Sequence, residues 1–293
     1  MEAERPSRFY VAKVYLRRII RWRRNSFPYI SGDAFADLAD FVYKPPKFRS
    51  FRRQRIPIEN AATIFCRSED LSEMLSLHGR SMTASVIICG NSDYEFHKLP
   101  ENMPSSVTSL FLQNSFISDG TFINSIPIGL ENLRWGVNGN PRLLWRMSRK
   151  AGNRVLFGPF GKTHHTRLEV ANMFSKSGQV WNFLESRRIS PIKYAWIARQ
   201  YRFIAAVRGN GVDTHRHWES LYRGITPIVY SDSWSTSMVS QGIPFQLVTS
   251  WDPSEINLIV QKEPLKIKPK DLPVLWMPYW AEKIRAAVKV SKS

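Results

Sequence analysis

Apolar and polar positions fall in short blocks along most of the chain. Runs at 63–66, 85–89, 107–112 and 123–128 are apolar almost throughout, and most are bounded by Gly, Pro, Asn or Ser. Such runs predict strands buried on both faces, as in a parallel sheet. The rhythm pauses in a seam rich in Gly, Asn and Arg at 136–152 and then restarts. Strands are expected at 155–157, 180–183, 203–207, 227–230 and 245–248, with helices at 166–175, 192–200, 214–222 and 253–260. A short helix is expected over 34–43, stopped by Pro45-Pro46, and a closing helix over 275–288. Two successive β/α series predict an α/β fold with two doubly wound, Rossmann-like units facing across a cleft.

The first residues follow a different period. In RFYVAKVYLRRIIRWRR, residues 8–24, Val11, Tyr15, Ile19 and Trp22 fall near one helical face and Lys13, Arg17, Arg21 and Arg24 on another. Such a basic amphipathic helix either lies in a membrane interface or packs on its own domain with a solvated basic face. The expected organisation is a basic helix at 1–25, an acceptor-side unit at 26–145, a second unit at 146–270 and a C-terminal helix at 271–293.

Charge changes the picture more than composition does. The 293 residues carry a formal net charge of +18, and half of that excess lies in the first 55. Such a balance suits nucleic acid, an anionic lipid surface or a phosphorylated substrate. With 43% hydrophobic residues, global disorder is excluded. No apolar run approaches the ~18–20 residues of a membrane span. The first 24 residues hold eight cations and no apolar signal-peptide core. Two cysteines, Cys66 and Cys89, suit a reducing compartment rather than a disulfide scaffold. A cytoplasmic protein, held peripherally at the inner membrane face by its basic segment, is the expectation.

Candidate chemistry concentrates in YRFIAAVRGNGVDTHRHWESLYRGITPIVY, residues 201–230, which reads as strand, glycine loop, helix, turn and strand. Gly209-Asn210-Gly211 lets the backbone turn sharply and expose its amides. Asp213 or Thr214 can cap the next helix, whose first N–H groups attract anions. Arg208 and Arg216 flank that terminus as donors suited to a diphosphate, and Glu219 can accept hydrogen bonds from ribose or sugar hydroxyls. The same pattern also fits an ordinary βαβ connection, because Gly209-x-Gly211 lacks the third glycine of a dinucleotide fingerprint.

The stretch RGNGVDTHRHWESLYRGITPIV resembles the donor-side motif of exostosin-like glycosyltransferases of bacterial type, which have the GT-B fold, and more distantly that of α1,3-fucosyltransferases. Asp213-Thr214-His215-Arg216 and Trp218-Glu219 are its most specific part. Weaker similarity lies in PYISGDAF at 28–35, Asn91-Ser92-Asp93 and IPIGLEN at 126–132. One departure is Gly90, where relatives have a His before Asn-Ser-Asp, which puts His-based catalysis there in doubt. The resemblance implies transfer of a sugar from a nucleotide sugar to a glycan or lipid-linked acceptor, with inversion. It also implies that Arg208, Gly209, Asn210, Gly211, Asp213, Thr214, His215, Arg216 and Glu219 hold the donor.

Such a transfer needs a base for the acceptor hydroxyl and donors for the departing diphosphate. Asp93, at a strand end, is the first candidate base and Asp33 the second. Lys162 and Arg167 are further phosphate candidates. No strict Asp-x-Asp pair occurs and neither His pair has companions at metal spacing, so no metal or other cofactor is expected. Two alternatives stay open: a basic nucleic-acid-binding protein, against which stands the lack of a zinc-finger, homeodomain or RNP1-like motif, and a catalytically silent module of the same fold that binds a glycan or nucleotide.

Overall fold

The computed structural model describes residues 25–45, 56–135, 139–144, 152–161, 163–177, 181–183 and 189–290. The helix expected over 8–24, the cationic residues 47–55 and Lys162 lie outside the described residues. The fold is α/β, built on two parallel sheets.

The first sheet comprises β1 (Phe41–Val42), β2 (Thr63–Arg67), β3 (Val86–Gly90), β4 (Ser109–Gln113) and β5 (Ile123–Ile126), side by side in chain order. All its pairs are parallel. β3 is buried at every position, as its unbroken apolar sequence foretold. This sheet therefore lacks the order reversal of a doubly wound unit. The second sheet has that reversal. Its strands β6 (Gly152–Phe157), β7 (Trp181–Phe183), β8 (Tyr201–Ala205), β9 (Thr226–Tyr230) and β10 (Gln246–Val248) lie in the order β10-β9-β8-β6-β7. From β6 the chain builds to one side through β7 and then crosses to β8 on the other, so the crevice beyond the carboxyl ends of β6 and β8 is the switch point where ligands collect in such sheets.

The helices are α1 (Gly32–Ala36), α2 (Leu71–His78), α3 (His165–Ser177), α4 (Pro191–Ala198), α5 (His215–Arg223), α6 (Ser233–Ser240), α7 (Pro253–Val260) and α8 (Met277–Val290). The helix expected over 34–43 stops at Ala36, and the chain enters β1 instead. The Asp40 carboxylate accepts from the backbone N–H groups of Ala62 and Thr63 and from the Thr63 hydroxyl, stitching β1 to β2. Two helices were not expected. α2 buries Leu71, Met74 and Leu75 at helical spacing. α6, SWSTSMVS, has poor intrinsic propensity, but the Asp232 carboxylate accepts from Ser235 N–H at its start while Trp234 and Met238 are buried.

One apolar cluster runs through both halves of the molecule. It joins Val86, Ile88, Phe111 and Ile126 of the first sheet to Trp218, Leu221 and Tyr222 of α5, to Trp234 and Met238 of α6, and to Trp280 and Ile284 of α8. α8 packs on α1 and β3, with its Trp280 ring edge-on to Phe35 at 6.1 Å. The expected cleft is thus largely filled by core. Burial of such aromatic and aliphatic side chains contributes about 1.5–3 kcal/mol each.

Gly129 is held where the halves meet. Its φ is +69°, and a Cβ there would lie 2.3 Å from the Ile30 carbonyl oxygen. The neighbouring Leu130 N–H donates to that same oxygen at 2.8 Å. Gly129→Ala is therefore expected to lower the unfolding free energy by at least ~2 kcal/mol in urea titration. Gly120, at φ +75° with nothing within 4 Å, should lose only about 1 kcal/mol on the same change. Equal losses at the two sites would contradict this packing.

Candidate functional site

The glycine loop after β8 is docked on the first half. Arg208 donates to the Glu95 carboxylate at 2.6 Å and the Asn210 amide donates to Asp93 at 3.1 Å. Gly211 sits so close to Asn114 that a Cβ would lie 2.8 Å from its Nδ2. Asp213 completes the joint. Its buried carboxylate accepts from the Ile128 backbone N–H at 2.7 Å and from the Trp218 indole N–H at 2.8 Å. Its own N–H donates to the Asn114 side-chain oxygen at 2.9 Å. Thr214 occupies the N-cap position of α5, and its N–H donates to His217 Nδ1 at 3.0 Å.

The switch-point crevice is framed by the 158–163 segment after β6 and by α5. Arg216 donates to the carbonyls of Gly158 and Pro159 at 2.9 and 3.1 Å. Its guanidinium lies 4.8 Å from the Phe160 ring centre and 4.5 Å from that of Tyr194. Arg167 also lies over Phe160, at 5.0 Å, and donates to the Arg208 and Gly161 carbonyls. Burial, reinforced by the nearby Arg216 charge, lowers the Arg167 pKa to about 10. Two cations over one aromatic ring hold the segment in place through cation–π attraction and charge-assisted hydrogen bonds.

Beside this frame lies a cavity of about 230 Å³. His215, Arg216, Glu219 and Arg223 of α5 face it, and spacings of four place His215, Glu219 and Arg223 on one helical face. The first half contributes Leu130 and Glu131, α4 contributes Pro191 and Tyr194, and the 140–144 segment contributes Asn140, Leu143 and Leu144. His215 Nδ1 contacts the Gly129 carbonyl at 2.8 Å and its Nε2 lies 3.3 Å from the Glu131 carboxylate. Burial by itself lowers the imidazole pKa, but the charge and hydrogen bond of Glu131 outweigh it and raise the pKa to about 9. Burial likewise raises the Glu131 pKa, and the protonated His215 more than reverses this. At neutral pH the pair is imidazolium and carboxylate, one partner from each half.

Arg223 is almost fully buried. It donates to the Glu219 and Leu143 carbonyls and lies 3.5 Å from the Glu219 carboxylate, yet its Nε–H has no hydrogen-bond partner among the described residues. Burial raises the pKa of the Tyr194 hydroxyl on the same wall, against the opposing charge of Arg216. With His215 protonated, three cations and two carboxylates line the cavity, an arrangement that can take an anion together with hydroxyl groups.

Of the residues expected to hold a nucleotide sugar, His215, Arg216 and Glu219 line this cavity. Arg208, Gly209, Asn210, Gly211, Asp213 and Thr214 instead build the joint that aims α5, and Arg167 braces the 158–163 segment. Neither expected base reaches the lining. Asp93 is exposed and bonded to Asn210, whereas Asp33 is buried with Asn91 and Arg134. Sequence reasoning missed Arg223, although its spacing from Glu219 signals a shared face. Glu131 lay in the similar segment 126–132 without an assigned role. Tyr194 and Asn140 carry no local signal. Among the described residues no group of three or more His, Cys, Asp or Glu side chains is placed to hold a metal ion. No protein-family model matches the chain, and no curated protein sequence matches it.

Because the His215 pKa is raised above its usual 6.5, its stabilising contribution is complete below about pH 6.5 and disappears as pH rises through about 9. The melting temperature of the unaltered protein should fall more steeply between pH 7 and 9.5 than that of His215→Gln. Parallel declines would contradict the pairing with Glu131. Separately, Asp213→Ala strands the Ile128 N–H and the buried Trp218 indole N–H and should lower stability by about 2–4 kcal/mol. Asp93→Asn, at the surface, should change it by less than ~0.5 kcal/mol in the same chemical denaturation series.

Proposed function

We propose that the chain is a metal-independent glycosyltransferase of GT-B architecture that uses a nucleotide sugar as donor and a glycan or lipid-linked acceptor in surface polysaccharide synthesis. The observation that carries this reading is the cavity between the two halves, in which His215, Arg216 and Arg223 converge beside Glu219 and Glu131. It is supported by the switch point of the second sheet, by the return of α8 to the first half, and by the resemblance of residues 208–229 to the exostosin-like donor motif.

In this reading the diphosphate lies against the second half. Arg216 and the protonated His215 balance the negative charge that develops as the sugar–phosphate bond breaks. The unpartnered Arg223 Nε–H supplies a further buried donor. Glu219 accepts hydroxyl protons of ribose or sugar as hydrogen bonds. The acceptor approaches from the first half, whose carboxylate in the cavity is Glu131, and Glu131 rather than Asp93 or Asp33 is the base we assign. Its anion takes the acceptor hydroxyl proton while that oxygen attacks the anomeric carbon and the nucleoside diphosphate leaves. Asp93 and Arg208 act by fixing the loop that aims α5.

Ligand at about a hundredfold its Kd stabilises the folded state by about 2.7 kcal/mol, a melting shift of about 5 °C for a chain of this size. A panel of nucleoside diphosphates should include at least one that produces such a shift. Arg216→Ala and Glu219→Ala should remove it with the unliganded melting point within a few degrees. No response to any nucleotide would sink the reading. Binding without sugar transfer or donor hydrolysis would make the chain a silent binding module instead.

A further inference from the structure

α4 is apolar at every position but Lys193 and the Tyr194 hydroxyl, and yet lies at the surface. Its sequence, PIKYAWIA, has one charged residue, Lys193, and no amide or aliphatic hydroxyl. The inner face buries Tyr194, Ala195 and Ala198 against a cluster that includes Leu156, Ile204 and Ile225. The outer face carries Ile192 and Trp196, one turn apart, at 53% and 54% exposure. A helix with no polar face normally sits within a core or in an apolar phase. The Ser190 cap and Pro191 at the first position define where it starts, so this exposure belongs to a well-formed helix rather than a frayed end.

The charge around it indicates the occupant. From residue 187 to 202 the sequence holds five cations, Arg187, Arg188, Lys193, Arg199 and Arg202, and not one Asp or Glu. Lys193 is exposed on α4, and Arg199 is the residue that caps it. A second copy docking through the same face would set these cations against each other across a two-fold axis. A surface of anionic headgroups over hydrocarbon complements both features. Lysine and arginine side chains meet the headgroups, and Trp and Ile enter the boundary below them.

We infer that the outer face of α4, with Ile192 and Trp196 as apolar anchors and Lys193 and Arg199 as headgroup contacts, docks the protein on an anionic lipid surface. Among the described residues no helix is long and apolar enough to cross a membrane, so attachment through this face is peripheral. The surface is distinct from the basic segment at 8–24 and goes beyond the transferase reading, since it holds whatever the cavity binds. It has a consequence for that cavity all the same. Pro191 and Tyr194 of the same helix line it, which sets the cavity one helix width from the bilayer.

The test uses the full chain and vesicles of phosphatidylcholine with or without phosphatidylglycerol. Ile192→Ser together with Trp196→Ser should lower partitioning onto phosphatidylglycerol vesicles about tenfold, equivalent to ~1.4 kcal/mol. Leu258→Ser, equally exposed but on α7, should leave it unchanged. Because the native Cys66 and Cys89 are buried, a Trp196→Cys variant can be labelled there with an environment-sensitive fluorophore. Its emission should shift to the blue on phosphatidylglycerol vesicles and be quenched by brominated lipid, whereas a Leu258→Cys label should not respond. Vesicle binding with an unresponsive probe at 196 would assign attachment to residues 8–24 and overturn the inference. A dimer that Trp196→Ser dissolves would overturn it as well.

Discussion

The Asp213 carboxylate is the interaction on which the arrangement of this molecule depends. It accepts one N–H from Ile128 in the first half and one from Trp218 in α5, and its carboxylate is itself buried, where an unmade hydrogen bond is expensive. Together with the Asn114 contact to its backbone, this fixes where α5 begins and how it is rotated. Rotation decides everything after it. Trp218, Leu221 and Tyr222 then point into the core shared with the first sheet, and His215, Glu219 and Arg223 point to the side where that core ends. The cavity is the remainder of the interface that apolar side chains do not fill.

That geometry explains why so many of the motif's polar residues are structural. A loop that docks against the other half matches those of its groups that become buried there. Arg208 finds Glu95 and Asn210 finds Asp93, while Gly209 and Gly211 permit approaches that a Cβ would block. Within the loop the Gly209 N–H donates to the Gly211 carbonyl, and the Asp213 N–H donates to Asn114. The cationic character of the site comes instead from one helical turn onward, where His215 and Arg216 face the cavity. His215 is kept charged by Glu131 from across the interface, so the protonation state of the site depends on the two halves remaining together.

Much of the fold was legible because its signals are local. Apolar runs between turn formers gave the strands β2 to β10, and helical spacing gave α3, α4, α5, α7 and α8. Where local signals compete, the reading failed. The stretch 34–43 has enough helical character to continue, and contacts with distant residues, Asp40 with Thr63 and the backbone pairing of 41–43 with β2, turn it into β1. α6 shows the reverse case, a Ser-rich sequence made helical by its cap and two buried anchors. For the site, the motif around α5 was visible, but a sequence does not say which of its residues face inward. That depends on Asp213 and on partners more than eighty residues away, such as Ile128 and Gly129.

The uneven charge has two different physical fates. Near the cavity, positive groups are sandwiched, buried and answered by carboxylates, as Arg216 is between Phe160 and Tyr194 and Arg223 is beside Glu219. Charges held in this way are little screened by salt, and they act at the range of a bound ligand. On α4 itself Lys193 stands beside exposed Ile192 and Trp196, and residues 187–202 contain no Asp or Glu. This charge is exposed and salt-screened, suited to steering the molecule onto a surface rather than to gripping one group. Tyr194 links the two regimes, since it holds Arg216 from a helix whose other face is apolar and exposed. A lipid-linked acceptor would meet both in turn, its chain at the outer face of α4 and its head beside Tyr194. Outside the first 55 residues, which hold half of the +18 excess, positive charge is thus divided between the faces of neighbouring helices.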